Sequence, residues 1–244
     1  MNRQDYINEI AEVQTKNSGK YPLGNLPTFD KRDFDFPMHL ALAMTEPAII
    51  PQDDVAWKTG HVLDQKNTNH CVGFTQESFL EAAPVRTIGA QDGHEIYYKC
   101  TELDEWPQTR NEDGTSLRAG AKALREYGYI KQFVHAYDTT TIAQWLQTRG
   151  TVTVGTAWYD RMFEPKADDN WLLHPFGVMV GGHAYHLVGV SMTRRLFKVK
   201  NSWGRQWSNQ GYAFITFDEL GILLTQGGDA ITMLEEPVIL RPVR

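Results

Sequence analysis

The second half of the chain alternates apolar and polar residues, a pattern that predicts β-strands because successive side chains of a strand point to opposite faces. β-Branched and aromatic residues concentrate in VTVGTAW, HAYHLVGV, LFKVKNSW and GYAFITF. The preceding stretch, TTIAQWLQTRG, has helical spacing instead. Residues 134–244 are therefore predicted to form a β-rich subdomain.

Residues 51–133 space their apolar residues as helices do. One predicted helix begins near Cys71, and a second lies in DGTSLRAGAKALREYG. In the second, Thr115 or Ser116 can cap the first turn, and Gly128 suits the left-handed position after the last turn. This stretch is predicted to be a helical subdomain.

Residues 1–50 are predicted to form an N-terminal arm. A short amphipathic helix from Asp5 to Lys16 carries an apolar stripe of Tyr6, Ile10 and Val13, and a stretch rich in proline, glycine and charge follows it. A helix of this length is marginal alone in water. We therefore expect the arm to dock, either on its own domain or on a partner chain.

The strands HAYHLVGV and RLFKVKN can be aligned by arithmetic. If they form a hairpin over residues 191–193, Val190 lies opposite Arg194 and His183 lies opposite Asn201. The alignment predicts that an imidazole and a carboxamide are cross-strand partners.

Composition and charge limit the expected partners and the expected compartment of the protein. The chain has 244 residues, 41% of them hydrophobic, and its 24 basic and 30 acidic residues give a net charge of −6. Without a long basic run, this charge disfavours nucleic acid and acidic membranes as partners. The opening is too polar for a signal peptide, and no window approaches the roughly 18 apolar residues of a membrane span. The presence of only two cysteines indicates a protein made in a reducing cytoplasm.

A lone cysteine is usually a small buried hydrophobe, but Cys71 has unusual surroundings. It opens a predicted helix, where free N–H groups and the helix dipole favour a thiolate. Gln65 lies six residues upstream, and the His183–Asn201 pair lies downstream. A nucleophile, a base, a group that orients the base and an oxyanion donor are all present.

These motifs resemble those of the papain-like cysteine peptidases. The resemblance rests on VLDQKNTNHCVGF, GGHAYHLVGV and KNSWGRQWSNQGYAFI, it covers about residues 55–217, and it is greatest to compact bacterial and bacteriophage members. It implies an α+β fold with the active site in a cleft between a helical and a β-rich, barrel-like subdomain. It also implies hydrolysis of peptide or protein substrates through an acyl-enzyme, without a cofactor or metal.

By this resemblance, Cys71 is the nucleophile, His183 transfers the proton, and Asn201 orients the imidazole. Gln65 and the backbone N–H of Cys71 hold the oxyanion. The candidates for the walls of the substrate cleft are His70, Ala184, Trp158, Trp203 and Trp207. By the same resemblance, Trp203 shields the His–Asn bond from water.

The chain departs from the family pattern near these residues. Thr68 and Val72 replace the cysteine and the tryptophan that flank the family's nucleophile, and Gly182 replaces the acidic or amide residue before the histidine. The glycine pair that aligns the substrate backbone in plant members has no clear counterpart. The arm lacks the helical signature of the family's propeptide, so blockade of the cleft is its less expected purpose.

Other candidates have more ordinary interpretations. His186 is predicted to be packed or hydrogen-bonded, Cys100 to be a core thiol and Asp104 to be a solvated loop charge. His70 fits a cleft position and an exposed position equally well, and core packing is the default for Trp158 and for Trp207.

Two alternative functions stay open at this point. The first is a papain-fold assembly or surface-recognition component, for instance of a phage particle, that associates through its arm and for which catalysis is secondary. The second is a cell-wall amidase or endopeptidase with Cys-His chemistry, which the KNSWG and GYAFI motifs disfavour.

Overall fold

The computed structural model describes residues 2–14, 21–28, 30–87, 89–105 and 114–236. Its α-helices are α1 (Arg3–Gln14), α2 (Met38–Met44), α3 (Cys71–Leu80), α4 (Gly93–Leu103), α5 (Leu117–Glu126), α6 (Thr139–Thr148) and α7 (Phe217–Thr225). Short 3-10 helices cover Lys31–Asp35, Asp160–Met162 and Ala167–Asp169. No helix within the described ranges is long and apolar enough to cross a membrane.

All the strands join one antiparallel sheet. They are β1 (Asp54–Ala56), β2 (Gln132–Ala136), β3 (Val152–Tyr159), β4 (Met179–Ser191), β5 (Leu196–Lys200), β6 (Tyr212–Thr216) and β7 (Asp229–Leu234). The order across the sheet is β2-β7-β3-β4-β5-β6, and β1 pairs with the end of β4. Helices α3, α4 and α5 pack on one another, and α3 also packs on β4. The predicted α+β class is confirmed.

Two groups of buried apolar side chains stabilise this arrangement. The larger group lies between the sheet and helices α6 and α7, and it includes Trp145 and Phe197. The smaller group lies among α3, α4 and α5, with Ile96 and Leu124 at its centre and Ile231 of β7 contributing from the sheet. The contact between helices and sheet is where the cleft predicted from the sequence has to lie.

Helix α5 begins as its sequence predicts. Ser116, rather than Thr115, is the N-cap, and its hydroxyl accepts a hydrogen bond from the Ala119 N–H at 3.2 Å. Gly128 follows the helix at φ +81°. Asp104 was expected to be solvated, yet it is buried and accepts hydrogen bonds from the Thr115 hydroxyl at 2.6 Å and from the Ser116 N–H at 3.0 Å. The free N–H groups at a helix start attract a carboxylate, which explains its burial.

The β4–β5 hairpin forms, but the predicted alignment of its strands is wrong. Val190 lies opposite Phe197 rather than opposite Arg194. The turn occupies residues 192–195, one residue more than predicted, and Arg195 closes it with a left-handed backbone at φ 52°. Because of this turn, each residue of β4 lies opposite a residue further along β5 than predicted.

An irregularity inside β4 changes the alignment again. The register shifts between Leu187 and Gly189, and the paired residues of β5 end at Lys200. His183 and Asn201 are therefore not directly opposite each other, although both belong to neighbouring segments of the sheet.

Helix α1 of the arm packs on the sheet. Ile7 and Ile10 are buried, and the Arg3 guanidinium donates hydrogen bonds to carbonyls in the loop 224–228. In the predicted apolar stripe, Ile10 is fully buried, and Tyr6 and Val13 are half-buried. The predicted helix end at Lys16 lies outside the described residues.

The later part of the arm is held by buried charge. Asp33, in the first 3-10 helix, is 2% exposed, forms an ion pair with Arg118 and lies 3.1 Å from Nε2 of His135. Helix α2 packs on α6, and the Arg149 guanidinium donates to the Leu42 carbonyl at 2.8 Å. The arm therefore docks on its own domain in this structure.

The packing of Phe197 gives a test of the core. This side chain is fully buried and stacks on Phe217 with ring centroids 4.3 Å apart. We expect Phe197→Ala to lower the free energy of unfolding by about 3–5 kcal/mol, because it removes a large side chain and leaves a cavity. Phe176→Ala, at a site 48% exposed, should change it by less than about 1 kcal/mol. Urea unfolding measures both, and equal losses would contradict the assigned core.

Candidate active site

Helix α3 begins at Cys71, as predicted, and this places the thiol against the sheet. The Cys71 side chain is fully buried, and its thiol lies near backbone groups of Ala184 and Gly24. Burial raises the pKa of the thiol to about 12. The sequence predicts a stabilised thiolate, but in this structure the thiol is neutral.

The structure brings His183 and Asn201 together. Nε2 of His183 donates a hydrogen bond to Oδ1 of Asn201 at 2.8 Å, because residues on neighbouring strands reach each other diagonally as well as directly. Nδ1 of His183 has no hydrogen-bond partner within the described part of the chain. Burial lowers the pKa of the imidazole to about 3. The ring is thus neutral, Asn201 fixes its Nε2–H, and the Nδ1 lone pair is left without a partner among the described residues.

Tryptophan side chains enclose this pair. The Trp203 ring stacks on His183 with centroids 4.4 Å apart, and Trp158 contacts the same imidazole edge-on at 4.8 Å. Both tryptophans are buried, so they exclude water from the His–Asn bond. Trp207 does not line the cleft, because it packs behind Trp203 and donates its indole N–H to the Phe163 carbonyl at 2.7 Å.

Gln65 is fully buried, and all of its side-chain polar atoms are engaged. Its Oε1 accepts a hydrogen bond from the Ser202 hydroxyl at 2.8 Å. Its Nε2 donates to the Thr68 carbonyl at 2.7 Å and to the Pro22 carbonyl at 3.1 Å. An amide donor that the sequence assigns to the oxyanion is therefore occupied by a carbonyl of the arm.

Residues 21–26 of the arm pass through the cleft. The N–H groups of Gly24 and Asn25 both donate to the Gly182 carbonyl, at 3.1 and 2.9 Å. On the other side, the Gly24 carbonyl accepts from the Thr115 N–H at 2.9 Å, and the Leu26 N–H donates to the Thr115 carbonyl at 2.8 Å. The arm thus bridges both walls and covers Cys71, although blockade of the cleft was the less expected of its purposes.

The covering segment fits closely. Tyr21 stacks on Trp203 at 4.7 Å. A Cβ on Gly24 would lie 1.9 Å from the backbone oxygen of Asn69, so no larger residue fits there without movement. The Asn25 side chain is buried as well, yet neither its nitrogen nor its oxygen finds a hydrogen-bond partner among the described residues.

A comparison with protein families decides the identity. The model of the papain family of cysteine proteases matches residues 60–222, about two thirds of the chain. The chain belongs to the papain family. It is therefore a cysteine peptidase that acts on peptide or protein substrates, and this membership favours peptidase activity over the cell-wall amidase alternative.

Solved structures share the fold of this papain-family chain. Xylellain, a cysteine protease from Xylella fastidiosa, is 15% identical with a TM-score of 0.67, covering 91% of this chain and 98% of its own. Procathepsin L 3 of Tenebrio molitor is 14% identical with a TM-score of 0.57, covering 95% and 89%. The bromelain protease of Ananas comosus in complex with the E64 inhibitor is 14% identical, with a TM-score of 0.54, covering 76% and 100%. No curated protein sequence matches the chain.

His70, which precedes Cys71 in this papain-family peptidase, packs on helix α4. Its ring stacks on Tyr97 at 3.8 Å, and its Nδ1 lies 2.7 Å from Nδ1 of His94. Burial lowers the pKa of His70 to about 4. The position is not an exposed one, and the ring is a buried neighbour of Cys71.

Two further sequence predictions describe the core correctly. His186 is fully buried, and its Nδ1 lies 3.0 Å from the Ser78 hydroxyl, so it is a hydrogen-bonded core residue. Cys100 is a buried free thiol whose pKa is raised by burial. Ala184 is also fully buried, beside Cys71.

One group of side chains in the described ranges has the composition of a metal site. Ligand atoms of His61, Glu77 and Glu81 lie within 4.8 Å of one another. The buried ammonium of Lys200 is attracted by both carboxylates, and Glu77 already accepts the Gly93 N–H at 2.7 Å. The ammonium of Lys200 thus offsets the negative charges of Glu77 and Glu81.

The buried imidazole predicts a pH dependence. Because burial lowers the pKa of His183 from 6.5 to about 3, its contribution to stability is complete above pH 6.5 and declines as the pH falls towards 3. Between pH 7.5 and 5 we expect the free energy of unfolding to fall by on the order of 2 kcal/mol more in the parent chain than in His183→Gln. Urea unfolding at both pH values measures the difference. Equal pH slopes would show that the imidazole is not buried as described.

Proposed function

We propose that Cys71, His183 and Asn201, with Gln65, hydrolyse peptide bonds through a thioester intermediate. One observation carries the proposal: Asn201 binds Nε2 of His183, which leaves Nδ1 as the free proton acceptor. The Cys71 thiol lies beside Ala184, the next residue after that histidine. The nucleophile and the base therefore lie on adjoining parts of the fold, although 112 residues separate them in the chain.

The reaction uses this arrangement in two halves. Nδ1 of His183 takes the thiol proton as Sγ of Cys71 bonds to the substrate carbonyl carbon, and the imidazolium returns the proton to the leaving amine as the C–N bond breaks. In the second half, His183 takes a proton from water, the hydroxide bonds to the thioester carbon, and the C–S bond breaks. Cys71 regains the proton and the acid product leaves.

Gln65 is proposed to stabilise the charge that develops on the substrate oxygen. Its Nε2 now donates to the Pro22 carbonyl, a neutral oxygen of the kind that a substrate offers. When the arm leaves, that N–H becomes available, together with the backbone N–H of Cys71. Loss of one such donor typically costs about 2.7–4 kcal/mol of transition-state stabilisation.

We infer in addition that residues 21–26 hold the enzyme in a closed form. The backbone of Thr115 and the carbonyl of Gly182 bind the arm on either side, and the same groups would bind a substrate backbone once the arm is displaced. A Cβ on Gly114 would lie 2.4 Å from the Gly24 oxygen, so the close approach needs glycine. Gly114 and Thr115 are then the counterpart of the glycine pair that the sequence alone did not identify.

An exposed apolar patch on the arm keeps the assembly alternative as a second proposal. Phe34 and Phe36 are 57% and 43% exposed on the docked arm. They offer a contact for a partner protein, whereas the net charge of −6 disfavours a nucleic acid. Folding in a reducing cytoplasm is likewise a proposal, supported by two free cysteines.

The closed form predicts that a methyl group added at Gly24 makes the Cys71 thiol reactive. In Gly24→Ala the new Cβ collides with the Asn69 backbone, so we expect the arm to leave the cleft and the Cys71 thiol to become reactive. Labelling with an active-site-directed epoxide, read by mass spectrometry, should accelerate at Cys71 by at least about tenfold and remain slow at Cys100. The matched control, Gly221→Ala, adds a methyl whose nearest neighbour is 3.9 Å away and should label like the parent. Equal labelling of both cysteines would contradict the assignment of the nucleophile.

The roles of the imidazole and the carboxamide predict unequal losses. In the Gly24→Ala background, His183→Ala should reduce kcat by roughly 10²–10⁴-fold, because it removes the group that carries the proton. Asn201→Ala should reduce kcat by about 10- to 100-fold, because it only frees the ring to rotate. His39→Ala, on the exposed face of α2, is the control. Peptide hydrolysis measures all of them, and full activity of Asn201→Ala at every pH would refute its orienting role.

A further inference from the structure

A basic groove lies on the outer face of strands β5 and β6. It is a cavity of about 340 Å³ lined by Gly60, His61, Val62, Lys198, Arg205, Asn209, Gln210, Tyr212 and Phe214. The lining contains two permanent cations and no carboxylate, in a chain whose net charge is −6. The groove is therefore locally positive, although the chain as a whole is acidic.

The two cations of the groove lack acidic partners within the described ranges. Lys198 places its ammonium 4.6 Å from the centre of the Tyr212 ring, and the Arg205 guanidinium donates to Oε1 of Gln210 at 2.9 Å. Neither makes a salt bridge to a described carboxylate. Both charges are thus held in place by neutral neighbours and stay available for an anionic ligand.

The groove is separate from the cleft. On β5, Phe197 and Val199 are fully buried, whereas Lys198 between them points to the outer face. Lys198 precedes Asn201 by three residues, a distance of about 10 Å along a strand. A ligand in the groove therefore lies close to the catalytic centre in distance, but on the opposite face of the strand.

The shape and lining of the groove favour an extended peptide. Lys198 and Phe214 also line an adjoining cavity of about 260 Å³, which contains Arg194 and, as its single carboxylate, Asp54. The two cavities share Lys198 and Phe214, and the aromatic rings and side-chain amides of the first suit apolar and backbone atoms. A long polyanion is disfavoured because the acidic remainder of the surface repels it.

We propose that the basic groove is an exosite that binds an acidic peptide segment, carrying glutamate or aspartate side chains, of a protein substrate. Carboxylates of the segment pair with Lys198 and Arg205, and its apolar atoms contact Tyr212 and Phe214. This binding does not depend on hydrolysis, so its test is independent of the proposed catalytic roles.

The test measures binding to the full chain carrying Cys71→Ala, which prevents cleavage of the probe. A fluorescein-labelled peptide of eight glutamates should bind saturably in fluorescence anisotropy at low salt, and added salt should weaken binding. Lys198→Glu with Arg205→Glu should weaken it by at least about tenfold, and the double glutamine variant by a smaller factor. The matched pair, Lys131→Glu with Arg86→Glu, makes the same charge change at exposed sites outside the groove and should stay within about twofold of the parent.

Several results would overturn the exosite. These are the absence of saturable binding to the parent, equal weakening by the groove pair and the matched pair, or equally tight binding of a single-stranded oligonucleotide of the same charge. Circular dichroism of each variant verifies that it folds. Hydrolysis of a short neutral peptide by the Gly24→Ala chain, with and without the groove substitutions, should be unchanged, so failure of the exosite and failure of the peptidase proposal give different results.

Discussion

The site depends on the hydrogen bonds of Gln65, which joins three parts of the molecule. Its backbone N–H donates to the Ser202 carbonyl at 2.8 Å, and its side chain binds the Ser202 hydroxyl, the Thr68 carbonyl and the Pro22 carbonyl. Ser202 follows Asn201 in the β-rich part, Thr68 precedes α3, and Pro22 belongs to the arm. Because a buried amide left without partners is costly, these bonds fix the loop before α3 against the loop that contains Asn201 and Ser202.

Burial by the arm accounts for the electrostatic state of the site. An isolated charge is unstable in a dry interior, so the Cys71 thiol and the His183 imidazole are both held neutral while residues 21–26 cover them. Under the proposed mechanism, displacement of the arm readmits water and with it the conditions under which a thiolate and an imidazolium form together. On this proposal, Cys71 and His183 are unreactive while residues 21–26 cover them and reactive once these residues are displaced.

The elements and the meeting of His183 with Asn201 could be predicted from the sequence, because alternation and spacing report local preferences. The register could not be predicted. The irregularity in β4 lies where Gly189 approaches the carbonyl of Val55, a residue of β1 more than a hundred positions away in the chain. The path of the arm was missed for a related reason: the hydrogen bonds that hold it to Gly182 and Thr115 join main-chain groups, which leave little trace in the choice of side chains.

Among the described residues, the buried amide of Asn25 has no hydrogen-bond partner, which weakens the docking of the arm. A buried donor or acceptor without a partner costs about 1–3 kcal/mol, and every 1.4 kcal/mol changes a population about tenfold. A side chain of the same shape without polar atoms would hold the arm more firmly. The docking of residues 21–26 therefore carries an energetic cost at Asn25 that an apolar residue of the same shape would avoid.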